Sequence, residues 1–136
     1  MLAISSVLVA RLTKTRLLLI DDDKSITGAM KLMFERLGYI VDVAHAGSEA
    51  IRKSHEKIYH IALIDIRLPD MNGVDLLTKL KESDPKMVKI IITGYPSLES
   101  RVQALNDGAD AYVVKPFKPE ELVATVKRKL KEQVKA

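Results

Sequence analysis

Apolar and polar positions along this chain fall into alternating blocks. Arg16–Ile20, Ile61–Ile64, Val88–Ile92 and Ala111–Val114 are short, largely apolar runs that each stop at a polar residue. Runs of that length are the signature of strands covered on both faces. Tyr39–Ala44 is β-branched and alternating, and reads as a further strand, second in chain order. Between the runs the period changes. Lys24–Leu37 carries Ile26, Met30, Met33, Phe34 and Leu37 as a helical stripe, closed by Gly38. Gly47 to about Lys57 reads as a second helix capped by Ser48. Val74–Glu82 reads as a third, broken by Asp84-Pro85. A fourth starts at Ser97 or Ser100 and runs to Asn106, ahead of Gly108. Pro119 opens the fifth, with Glu120 and Glu121 in its first turn, where acidic groups suit the helix dipole.

Five strands alternating with five helices over short loops specify an α/β fold, a doubly wound five-stranded parallel sheet. Right-handed crossovers leave few ways to arrange it. The pattern predicts one domain over residues 16–134, preceded by an extension, residues 1–15, expected to be flexible. The extension is apolar from Leu2 to Ala10, interrupted by Ser5-Ser6, and too short to span a bilayer. A signal peptide carries its positive charge before the apolar segment, whereas here Arg11, Lys14 and Arg16 follow it. A start codon placed too early, or an apolar arm that docks on a partner or a second copy, are the other readings.

Composition changes this picture only at its edges. With 136 residues and 47% apolar content the chain can bury a core. The net charge of +4 is modest, and Lys127-Arg128-Lys129 with Lys131 reads as a solvated helix end rather than a nucleic-acid arm. No direct nucleic-acid or membrane partner is expected. The chain has no cysteine, which excludes disulfides, thiolate metal sites and cysteine nucleophiles, and fits a reducing cytoplasm. His45, His55 and His60 have no metal-binding spacing and read as surface residues. Met30, Met33 and Met71 read as packing.

The chemistry lies where the strands end. In an open parallel sheet the carboxyl ends of the strands converge on one crevice. Here those ends carry Asp21-Asp22-Asp23, Asp65, Thr93-Gly94 and Lys115-Pro116. Two carboxylates about 4 Å apart repel by roughly 4 kcal/mol at an effective dielectric of 20, so such a cluster implies a proton or a cation. Oxygen donors without nitrogen or sulfur select magnesium, with manganese as a possible substitute. Asp23 reads as the cap of the first helix. Asp65 beside a bound cation is a competent nucleophile toward phosphorus. Lys115 can neutralise phosphoryl oxygens and Thr93 can donate a hydroxyl; phosphoryl transfer needs mainly in-line positioning and charge neutralisation.

The ordered set Leu-Leu-Leu-Ile-Asp21-Asp22-Asp23, Ile64-Asp65, Leu68-Pro69-Asp70-Met71-Asn72-Gly73, Thr93-Gly94 and Tyr112-Val-Val-Lys115-Pro116-Phe117 resembles the receiver domain of two-component response regulators. The likeness runs from residue 16 to about 134. It implies a flavodoxin-like sheet of order 2-1-3-4-5, which comes with the resemblance rather than from the pattern. It also implies that Asp65 accepts phosphate from a sensor histidine kinase or phosphotransfer protein. Asp22 would bind Mg2+ directly and Asp21 largely through water, completed by Asp65 and the backbone carbonyl of Arg67. Thr93 and Lys115 would hold the phosphoryl group, and Lys115-Pro116 would be cis.

The same resemblance makes Thr93 and Tyr112 a switch read by an unnamed downstream protein on the face of helix four, strand five and helix five. From the residues alone Tyr112 is an ordinary half-buried strand aromatic. Arg67 and Tyr95 occupy positions that tune phosphoryl lifetime, and both predict slow self-dephosphorylation. The chain then catalyses only its own phosphorylation and dephosphorylation, as a cytoplasmic monomer or weak homodimer. A rival reading is a haloacid-dehalogenase-type phosphatase with Asp21 as nucleophile and Asp23 as acid, because the triplet satisfies Asp-x-Asp. It lacks the acidic pair that such enzymes need after a late strand, where this chain has Thr93-Gly94.

Overall fold

The apolar runs become strands because helices cover them on both sides. A computed structural model describes residues 14–94 and 97–135 of the chain. Its elements are β1 (Arg16–Ile20), α1 (Lys24–Arg36), β2 (Ile40–Ala44), α2 (Gly47–Glu56), β3 (Ile61–Asp65), α3 (Gly73–Ser83), β4 (Val88–Thr93), α4 (Leu98–Asn106), β5 (Ala111–Val114) and α5 (Pro119–Lys135). The five strands are parallel in the order β2-β1-β3-β4-β5, the order implied by the resemblance. The predicted extension, apart from Lys14 and Thr15, lies outside the described residues, as does Tyr95.

Alternate residues of each strand serve opposite layers. Leu18, Ile20, Ala62, Ile64 and Ile91 pack with Ala50, Leu76, Leu77, Leu80 and Ala104 on the side of α2, α3 and α4. Leu17, Leu19, Leu63, Ile90 and Ile92 face Phe34, Leu122 and Val126 on the side of α1 and α5.

The helix ends follow from local chemistry, with one correction. Asp23 caps α1, its carboxylate accepting from the Ser25 and Ile26 amides at 2.9 and 3.2 Å. Asn72 caps α3 and Ser97 caps α4. Gly38 sits at φ 98°, the left-handed conformation that ends α1 without a Cβ penalty. Ser48 does not cap α2. The helix starts at Gly47 as predicted, with Ala46 in the cap position, and the carboxylate of Asp70 accepts from the Gly47 and Ser48 amides at 2.8 and 2.9 Å.

The helices differ in how firmly they are held. On α1 only Thr27 and Phe34 are wholly buried, and Leu37, a member of the predicted stripe, is 46% exposed. On α4, Ala104 is the wholly buried residue among the described side chains, while Val102 and Leu105 face solvent. By contrast α3 buries Val74, Leu76, Leu77 and Leu80.

Candidate functional site

Register brings the polar strand ends together. Ile20 of β1 pairs with Ile64 of β3, so the residues that follow, Asp21 and Asp65, emerge side by side. Asp65 in turn pairs with Ile92, and Thr93 with Val114, which sets Lys115 at the same edge. Asp21, Asp22, Asp23, Ile26, Asp65, Arg67, Gly94 and Lys115 line one cleft of about 550 Å³ at this edge.

Asp21 is held from several directions. It is 8% exposed, its Oδ1 accepts from the Asp23 amide at 2.9 Å, and its Oδ2 accepts from Lys115 Nζ at 3.2 Å. Its backbone amide donates to the Ala44 carbonyl at 3.1 Å, and its own carbonyl lies 3.0 Å from Nδ1 of His45. Asp22 is exposed. Asp65 is half-buried and accepts from the Arg67 amide at 3.2 Å. Burial pushes the Asp65 carboxyl above its ordinary pKa. The Arg67 amide opposes that rise, the neighbouring Asp21 adds to it, and Lys115 lowers it.

One carboxylate oxygen from each of Asp21, Asp22 and Asp65 lies within 4.8 Å of the others. Charges at that spacing repel by roughly 3 to 4 kcal/mol per pair at an effective dielectric of 20. The single ammonium of Lys115 pairs with one of the three. The donor set is hard oxygen and anionic, with the Arg67 and Lys115 cations at the same cleft, which fits a divalent cation.

Thr93 stands apart in one respect. It is fully buried at the end of β4, below the cleft-lining Gly94, and its carbonyl accepts from the Lys115 amide at 2.7 Å. The Lys115-Pro116 peptide is cis. The hydroxyl of Tyr112, half-buried on β5, lies 3.0 Å from that of Ser100 on α4.

This geometry also argues against the phosphatase reading. The supposed nucleophile, Asp21, is nearly buried with both carboxylate oxygens engaged, whereas Asp65, in the same cleft, is only half-buried. A family model described as the response regulator receiver domain matches residues 17–127, most of the chain. The chain belongs to the response regulator receiver family.

Relatives of this receiver domain bear on its site and its limits. It is 39% identical over 112 residues to the transcriptional regulatory protein TrcR of Mycobacterium tuberculosis, covering 82% of this chain and 44% of TrcR. The chain spans about half or less of the curated relatives that it matches, from 26% to 54% of their lengths. A CheY-like receiver domain from Methanospirillum hungatei JF-1 superposes with a TM-score of 0.88 at 44% identity, over 90% of this chain and 98% of that one. A response regulator from Burkholderia pseudomallei, solved with a phosphorylated aspartic acid, a calcium ion and citrate, gives 0.80 at 31% identity, over 88% and 70% of the two chains.

Three features of this receiver escape sequence reading. His45 is not a free surface residue; it is half-buried and, as an Nδ1–H donor, holds the Asp21 carbonyl. Asp70, known from the sequence only as part of the loop motif after Asp65, latches that loop onto the start of α2. Gly73 permits a close approach: a Cβ there would meet the Asp65 carbonyl oxygen at 2.5 Å and the Ile66 Cα at 2.8 Å. His55 and His60 are exposed as expected.

The Asp70 latch has a testable pH signature. The Ser48 and Gly47 amides hold its carboxyl below the ordinary range. A lowered folded pKa contributes stability above the unfolded pKa, about 4, and loses it as pH falls through the folded value. Asp70→Ala therefore melts lower than wild type at pH 7, and the two thermal curves converge in strong acid. A gap that persists unchanged at pH 2 contradicts an ionic latch.

Proposed function

We propose that Asp65 is the phosphoacceptor of this receiver domain and that its donor is a sensor histidine kinase or a phosphotransfer protein. The observation that carries the reading is the convergence of Asp21, Asp22 and Asp65 within 4.8 Å, with Asp65 lining the cleft. Asp65 supplies the nucleophilic oxygen: it attacks phosphorus in line, and the bond to the donor nitrogen breaks as the acyl phosphate forms. The divalent cation and Lys115 both favour its charged form, the form that attacks.

Asp21, Asp22, Asp65 and the backbone carbonyl of Arg67 are the residues that would hold Mg2+, with Mn2+ as a substitute. The cation would neutralise charge on the transferred phosphoryl oxygens. Lys115 contributes a second positive charge to them, and Thr93 a hydroxyl donor. His45 fixes the backbone of the metal-binding turn through the Asp21 carbonyl.

The switch pairs Thr93 with Tyr112. The Ser100–Tyr112 contact ties β5 to α4, so a change at Thr93 can alter the face of α4, β5 and α5 that a downstream protein reads. Among the described residues no helix is long and apolar enough to cross a membrane, and we assign the domain to the cytoplasm.

Incubation with acetyl phosphate and magnesium, followed by intact-mass measurement and borohydride trapping, tests the assignment. One phosphate per chain is expected, mapped to the peptide that contains Asp65, and chelation abolishes it. Mapping to Asp21 or Asp22 overturns the reading. Arg67 lines the cleft beside the acceptor, where it can obstruct an attacking water. The acyl phosphate should accordingly decay over minutes or longer once donor is removed, and a half-life of seconds contradicts that role for Arg67.

A further inference from the structure

An open, mostly apolar groove of about 660 Å³ runs between α1 and α5, unrelated to the phosphoryl site. Leu32, 52% exposed, and Leu37, 46% exposed, form one wall. Val123 and Ala124 form the other, and the charged residues Arg36, Glu120 and Lys127 also line the groove. Large aliphatic side chains lining a concave surface of this size, within the range of about 300–1,000 Å³ that holds ligands, mark a docking place. Nothing among the described residues covers it.

The chain itself supplies a matching occupant. Residues 1–10 contain no charged side chain, and the seven residues from Leu2 to Ala10 other than Ser5 and Ser6 are all aliphatic. An uncharged segment places no like charge against Arg36 and Lys127. Its point of attachment is close to the groove: the Thr15 carbonyl accepts from the Ile40 amide at 2.9 Å, and Leu37 and Gly38 lie just before Ile40 at the foot of α1. Nine extended residues reach about 30 Å, whereas the wall from Ala29 to Leu37 rises only about 12 Å. Arg11 to Lys14 remain as the connector.

A short tether also sets an effective concentration in the millimolar range, which favours this segment over partners that must arrive by diffusion. We propose that the groove between α1 and α5 is the dock for the chain's own N-terminal segment, Leu2–Ala10.

The absence of cysteine makes the test direct, because one introduced thiol reports on one place. Leu32→Cys and Ala124→Cys, both at exposed positions, are prepared in the full chain and in a chain lacking residues 2–13, which retains every strand and both cores. Maleimide labelling at both positions should be at least tenfold slower in the full chain. A synthetic peptide of residues 1–13 should slow labelling of the shortened one. Val102→Cys on α4, likewise exposed, should label equally in both chains. Equal rates at Leu32→Cys and Ala124→Cys with and without the segment overturn the proposal. So does protection in the full chain that rises with protein concentration, since a second copy would then be the cover.

Discussion

Asp65→Asn takes up no phosphate under conditions that load the wild-type chain, and without divalent cation it melts higher than wild type at neutral pH. The first result follows from removing the attacking oxygen: an amide is not a nucleophile toward phosphorus at neutral pH. The second follows from the crowding of Asp21, Asp22 and Asp65. Burial, with Asp21 nearby, raises the Asp65 pKa above its unfolded value. The folded state then binds the proton more tightly than the unfolded chain does. Ionised Asp65 accordingly costs stability, a cost that appears as pH rises through the unfolded pKa of about 4 and is complete above the folded one. The amide removes that cost, so the gain should grow as pH rises from about 4 toward neutrality and vanish below about pH 4. Magnesium should raise the melting temperature of wild type more than that of the variant. Phosphate uptake by Asp65→Asn, or a lower melting point than wild type at pH 7 without cation, contradicts the assignment.

Gly73→Ala should injure both the fold and the chemistry. The added Cβ meets backbone, the Asp65 carbonyl oxygen at 2.5 Å and the Ile66 Cα at 2.8 Å, rather than the tip of a flexible side chain. Relief requires α3 or the end of β3 to shift, and overpacking of this kind costs about 1–3 kcal/mol. Alanine's better helix propensity, about 1 kcal/mol in a helix interior, offsets only part of that, since Gly73 is the first residue of α3. Urea unfolding should show a lower midpoint with an unchanged slope. Phosphate uptake should fall at least tenfold, because a displacement near 1 Å at Asp65 is enough to spoil in-line attack. Wild-type stability together with a wild-type phosphorylation rate would show that the approach is not as close as described.

How much of this was legible in the sequence depends on the distance between the residues concerned. The strands were readable because a doubly covered strand needs only its own apolar run, as Leu17–Ile20 and Ile61–Ile64 show. The caps at Asp23 and Ser97 are local, with partners two or three residues ahead. The cleft was readable too, since parallel strands must deliver their ends to one edge. What escaped involves partners remote in sequence. Ser48 looked like a cap, yet Asp70 performs that service from another loop. His45 gains its role only when β1 and β2 are paired and the Asp21 carbonyl comes within reach. Leu37 sits on a correct helical period but is the C-cap residue of α1, where it stays 46% exposed.

The weak seating of α4 has an energetic consequence. Among its described side chains Ala104 is the buried anchor, and a hydroxyl pair, Ser100 and Tyr112, joins it to β5, so little of the described apolar contact is lost when the helix tilts or frays. Segments with so little to lose open at a small fraction of the global unfolding free energy. Amide deuteration of residues 98–106 should therefore run well ahead of that of α3. A modest ligand energy, far below what would reorganise the central strands, is then sufficient to redistribute this helix between its positions.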